Sequence, residues 1–273
     1  MKSPACSRLA AIVVLAALTQ LAPAADLVAR GEKNEVNAPT DDADAAVREK
    51  RRIRARQREL AESAAQPGPE ADRTLLALFE SYRAGTLPPA LWLDLFEAAA
   101  KSANPDVKAR LAEREREVEA SGDPLSRYRE CLEGGRASEG RAIFFAKPEA
   151  GCIRCHRVSG EGAEIGPELT ALRQATDRIY ILESIVDPNS KIASGYPNVL
   201  LKLKNGESIS GIAKLETDEE SVLTSVVDGK TRAVKAEDVA ERTPLPSAMP
   251  PGFGLVLGKR AIRDLVEFLA TVE

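Results

Sequence analysis

The sequence has one histidine, four cysteines, two methionines and one tryptophan in 273 residues, and aromatic side chains make up 4% of it. Those shortages narrow the chemistry. A zinc site built from two Cys or His pairs lacks its second pair. The only histidine is His156, and the thiols beyond the N-terminal run are Cys131, Cys152 and Cys155. An excess of basic residues is also missing: 38 Lys and Arg stand against 42 Asp and Glu, a net charge of −4. Nucleic-acid binding needs a cationic face for counterion release, so this balance argues against it. Past the N-terminus, no stretch is long and apolar enough to cross a bilayer.

The apolar N-terminal run is a leader pattern. Lys2 and Arg8 form a short basic region, "LAAIVVLAALTQLA" follows, and Ala22-Pro23-Ala24 offers small residues for cleavage. Residues 1–24 therefore read as a secretory signal peptide. The alternative is an uncleaved anchor, for which the run is short. Cys6 lies too early to be a lipidated cysteine. The mature chain is then periplasmic or otherwise exported, and Cys152 and Cys155 should be a disulfide or be held by a cofactor.

The rest divides into three parts. Residues 25–69 are a polar, charged linker whose segment 45–66 is a solvated helix. Residues 70–121 carry three helical patterns: apolar spacing at Leu75, Leu78, Phe79 and Tyr82, a proline-led helix with Trp92 and Phe96 inside, and a helix capped by Asn104 before Pro105. Residues 122–273 form a second domain with helices at 134–146, 178–188 and 259–272. Between them, at about 198–243, β-branched runs surround Asn205-Gly206 and Asp228-Gly229. Such pairs favour type I′ hairpins, so this region reads as a β-hairpin or small-barrel insert. The expected fold class is mainly α.

The chemistry concentrates in "CIRCH", Cys152 to His156. A zinc site leaves ligands missing. A thioredoxin-type pair would follow a strand in a βαβ pattern, whereas this one follows a helix, and His156 would be unexplained. The third reading uses every residue. Two thiols add to the vinyl groups of haem, and the adjacent histidine reaches the iron: C-x-x-C-H is the attachment signature of c-type haem. One covalent haem c is therefore expected.

His156 leaves one axial position open. No second histidine exists, and Met249, in "SAMPP", is the one methionine beyond the initiator; a thioether there suits electron transfer. The alternative is a buried filler methionine. A ligand histidine usually donates its other ring nitrogen to an acceptor. The carbonyl of Pro167 in "IGPELT" is the candidate, and the alternative is a simple Gly-Pro turn.

The segments "GGRASEGRAIFF", "CIRCHRVSGEG", "IGPELT", "YILESIVDPNSKIASGY", "NGESISG", "SAMP" and "RDLVEFLA" together resemble the haem-binding CxxCH domain of planctomycete and verrucomicrobial proteins, a divergent class I cytochrome c. That resemblance covers about Asp123 to Val272. It implies His156 and Met249 as axial ligands and Cys152 and Cys155 as attachment points. The family domain often ends a longer dehydrogenase-like protein with a propeller. No propeller is present here, so dehydrogenase activity does not carry over. The expected function is single-electron transfer to a redox partner protein, a dehydrogenase among the candidates. The rival readings are an electron-accepting subunit of a dehydrogenase complex and a haem peroxidase. Cys131 is expected to be a small buried hydrophobe.

Overall fold

The computed structural model describes residues 41–272. The leader expected at 1–24 lies outside them. Nine α-helices and seven strands are present among the described residues. In chain order they are α1 (Asp41–Ala65), α2 (Pro69–Arg83), α3 (Trp92–Lys101), α4 (Pro105–Ala120), α5 (Ala137–Ala146), β1 (Arg157–Val158), β2 (Glu161–Gly162), α6 (Leu172–Ala175), α7 (Arg178–Val186), β3 (Asn198–Leu203), β4 (Ser208–Glu216), β5 (Glu220–Thr224), β6 (Thr231–Lys235), β7 (Val239–Pro244), α8 (Phe253–Val256) and α9 (Gly258–Leu269). No helix among the described residues is long and apolar enough to cross a membrane. About 52% is helix and about 16% strand. The fold is therefore mixed rather than mainly α, because the insert, expected as a hairpin or small barrel, is a full five-stranded sheet with its own core.

Residues 46–273 form one compact unit with three hydrophobic clusters. The first joins α2, α3 and α4 through Leu75, Phe79, Leu95, Phe96 and Val107. Asn104 starts α4 as its spacing suggests: its side chain accepts from the amides of Asp106 and Val107, which satisfies two of the helix's orphan donors. α1 does more than the solvated helix expected of it. Leu60 is buried in this cluster with Ile53 and Ala64 against it. Arg54 and Gln57 also reach the Gly134 carbonyl at 2.8 and 3.1 Å. The strong charge of the segment hides this apolar edge from a composition reading.

The second cluster surrounds α5, α7 and α9. α5 and α9 cross at Gly140, where a Cβ would stand 2.0 Å from the Asp264 carbonyl oxygen and 2.7 Å from Phe268 Cβ. Only a glycine permits that approach. Phe144, one turn on, meets the Phe268 ring at 5.8 Å between centroids, and Ile262, Leu265 and Val266 complete the inner face of α9. Cys131 is fully buried here. Burial pushes its thiol up to about 12, so it is a small hydrophobe and not a nucleophile.

Buried charges join the first two clusters. Arg263 of α9 meets Asp94 of α3 at 2.7 Å, both buried. Glu130 is held by Arg114 of α4 at 2.6 Å and by Lys259 of α9 at 2.8 Å. Such pairs add little net stability over apolar packing, but removing one partner strands the other charge at a cost of about 3–5 kcal/mol.

The third cluster lies inside a five-stranded antiparallel sheet of order β6-β5-β4-β3-β7, with Val199, Leu201, Ala213, Leu223 and Val234 buried. β6 and β7 are joined by Ala236–Asp238 alone, yet they occupy opposite edges. A flat sheet would separate those edges by about 19 Å, four spacings of about 4.8 Å. Four peptide steps reach about 14 Å. The sheet must therefore curl into a partly open barrel.

The hairpin turns differ from expectation. A type I′ turn needs φ > 0 at both central residues. Among the described residues, the one non-glycine with positive φ is Ser159, at 49°. Asn205 and Asp228 therefore form other turns. At the first, the Gly206 amide bonds the Leu203 carbonyl and the chain closes with the Leu203 amide on the Glu207 carbonyl; at the second, Val226–Gly229 make a longer loop closed between Ser225 and Lys230. The primed geometry occurs instead at Ser159-Gly160, between β1 and β2.

Gly140→Ala tests the crossing. On an open helix face the change would gain about 1 kcal/mol from helix propensity. Here the clash should outweigh it and lower stability by roughly 1–3 kcal/mol in urea unfolding. A stabilised variant would show that the helices do not meet there.

Candidate haem site

The site is built on one tight turn between α5 and the small β1–β2 hairpin. Gly151 enters it with φ 56°, and Cys152–Arg154 form a 3-10 turn. The amides of Cys155 and His156 both bond the Cys152 carbonyl, at 3.1 and 2.9 Å. Cys152 opens this turn and Cys155 caps it. Both are free. Burial pushes Cys152 up to about 11; burial raises Cys155 as well, opposed by Arg154. A thioredoxin-type pair has its attacking thiol pKa lowered, whereas burial pushes both of these the other way. Among the described residues no group of three or more His, Cys, Asp and Glu could hold a metal ion.

His156 is gripped from one side. Its Nδ1 lies 2.9 Å from the Pro167 carbonyl oxygen. A carbonyl can only accept, so Nδ1 carries the hydrogen and the Nε2 lone pair is left available. Burial lowers the histidine pKa, against the smaller opposing effect of the Pro167 bond, and the ring is neutral at pH 7. Gly166 lies flat on the ring: a Cβ there would stand 2.7 Å from His156 Cε1 and 3.2 Å from Nε2. The loop carrying Gly166 and Pro167 is stitched to the motif by three backbone bonds. Ala163 donates to Ile153, Gly166 to Cys155 at 2.7 Å, and Leu169 to Arg157.

Met249 is half-buried and packs on the second cluster, as do Cys152, Ile153, Leu169 and Phe253. Its loop is tied down at several points. The Met249 amide bonds Ser247 Oγ at 3.2 Å, the Ser247 amide bonds Asn189 Oδ1 at 2.9 Å, and Asn198 Nδ2 bonds the Pro246 carbonyl at 2.9 Å. The structure thus brings Cys152, Cys155, His156 and Pro167 into one constellation and sets Met249 against the same hydrophobic cluster. Sequence reasoning missed Gly166, Asn189 and Asn198. The Gly-Pro step signalled the first. Nothing local signalled the two asparagines, whose partners lie 58 and 48 residues away.

The cytochrome c family model matches residues 137–273, half of the chain. The chain belongs to the cytochrome c family. No curated protein matches it. For a cytochrome c, membership implies a covalently bound haem c and makes this chain a haem-bearing electron carrier. The site fits that group: two unpaired thiols at the ends of one turn, a histidine with one nitrogen committed to a carbonyl, and a ring cradle that a single added methyl would fill.

Gly166→Ala should push the His156 ring off its seat. Because His156 is the only histidine, NMR of the haem-free chain should show one set of imidazole signals, displaced in the variant, with stability lower by about 1–3 kcal/mol. Unmoved ring signals would place Gly166 away from the ring.

Proposed function

We propose that the chain is an exported monohaem cytochrome c that passes single electrons between redox partners. The observation that carries this reading is the grip on His156: a ring fixed by the Pro167 carbonyl, beside two unpaired thiols. Cys152 and Cys155 would hold haem through thioethers, and His156 and Met249 would supply the axial ligands. Bound there, haem supplies a one-electron Fe(III)/Fe(II) couple.

The protein's part is to fix its ligands and keep water out. Pro167 holds the Nδ1 proton and raises the basicity of His156. Gly166 keeps the ring plane fixed. Ser247, Asn189 and Asn198 hold the loop that presents Met249. The leader pattern at residues 1–24 supports export, where covalent haem attachment takes place. The quoted segments from "GGRASEGRAIFF" to "RDLVEFLA" favour the planctomycete-type CxxCH branch of the family. The acidic balance would steer the protein towards a basic docking patch on its redox partner, a dehydrogenase being the favoured kind. The supply of a single histidine, committed to the motif, argues against a peroxidase, which needs a distal acid–base group.

Replacing Met249 tests the reading. The oxidised holoprotein should show a weak far-red charge-transfer band and bind carbon monoxide poorly when reduced. Met249→Ala should remove the band, admit carbon monoxide and lower the potential by roughly 100 mV or more, since axial ligand identity spans about 0.8 V across haem proteins. A native protein that binds carbon monoxide rapidly and turns over peroxide would replace electron transfer with peroxidase chemistry.

A further inference from the structure

The barrel inserted between α7 and the Met249 loop touches the histidine's support. Lys214, on β4, donates from Nζ to the Ile165 carbonyl at 3.0 Å. Its ammonium also lies 3.8 Å from the centre of the Tyr196 ring. Among the described residues it has no carboxylate partner. Ile165 also faces Gly229 across a cleft, where a Cβ added to the glycine would just reach its Cδ1, at 3.7 Å. Next in sequence come Gly166, flat on the His156 ring, and Pro167, which accepts from it. An open cleft of about 870 Å³, lined by Arg154, Arg157, Tyr196, Lys214 and Asp228 among others, separates the rest of the loop from the barrel. The Lys214 hydrogen bond bridges it.

We propose that the barrel is a clamp on the histidine side of the haem, and that Lys214 is a positioning residue acting on His156 through Ile165, Gly166 and Pro167. The reading of His156 as an axial ligand is taken from the proposed function. Lys214 acts in two ways that push the same way. Its hydrogen bond keeps loop 163–168 closed over the ring, which limits water. Its positive charge on the loop favours the reduced iron, the state with one positive charge fewer. Loss of either should shift the couple towards Fe(III).

The test compares wild type with Lys214→Met and Lys214→Arg. In the haem-free chains, amide exchange at Gly166, whose N–H bonds the Cys155 carbonyl, should be about tenfold faster in Lys214→Met, with the sheet amides unchanged. In the haem-loaded proteins, the Fe(III)/Fe(II) equilibrium should move several-fold towards Fe(III) in Lys214→Met. Lys214→Arg, which keeps the charge and the donors, should return both readouts towards wild type. A merely structural lysine would lower global stability without moving either. Wild-type exchange at Gly166 together with a wild-type potential in folded Lys214→Met would overturn the clamp. If Lys214→Met does not fold, Lys214→Gln, which keeps a donor without the charge, should show near-native exchange but a lowered potential; a wild-type potential there would overturn the charge's role. A chain that takes up no haem would defeat the proposed function, while exchange at Gly166 would still decide the clamp.

Discussion

The hydrogen bond from His156 Nδ1 to the Pro167 carbonyl is the contact on which the site depends. It fixes the tautomer, and with it which nitrogen can serve as a ligand. It also joins two segments that the chain brings together by other means. The Cys152–His156 turn is set by its own amides folding back on Cys152, while the Pro167 loop runs alongside it on the Ala163, Gly166 and Leu169 amides. Each segment holds the other in register. Without the loop, the half-buried imidazole would have no partner for one nitrogen, and a buried unpaired N–H is expensive.

Around this contact the molecule is layered by the kind of force that holds it. The α5–α9 crossing is apolar and close, made possible by one missing side chain at Gly140. The helices before it are attached through buried charges, Asp94 with Arg263 and Glu130 with Arg114 and Lys259. Apolar packing sets how near the elements lie. The charge pairs set which way they face, because a guanidinium buried away from its carboxylate is strongly penalised. The barrel stands on its own core and reaches the site through the Lys214 hydrogen bond to the Ile165 carbonyl.

Much of this was legible in the sequence, for identifiable reasons. The start of α4 at Asn104-Pro105 follows from capping chemistry and the existence of α9 from a 3.6-residue period, both local signals. The CxxCH turn is local too, since its meaning lies in spacing. What escaped was non-local. The buried edge of α1 is masked by its charge, and the type I′ turns gave way to a tight non-primed turn at Asn205-Gly206 and to a longer loop at Asp228-Gly229. The small-barrel insert was foreseen, but its weight against the helices was underrated, because two hairpin turns do not announce a fifth strand, β7. Asn189, Asn198 and Lys214 carry no pattern at all; each gains its role from a partner far along the chain.

The central claim is that this turn carries covalent haem. Mass spectrometry of the intact protein, exported from cells that express a haem-attachment system, tests it most directly. The account predicts the mass of the processed chain plus one haem, with the added mass confined to the peptide holding Cys152 and Cys155. A bare chain whose Cys152 and Cys155 are joined as a disulfide would contradict it.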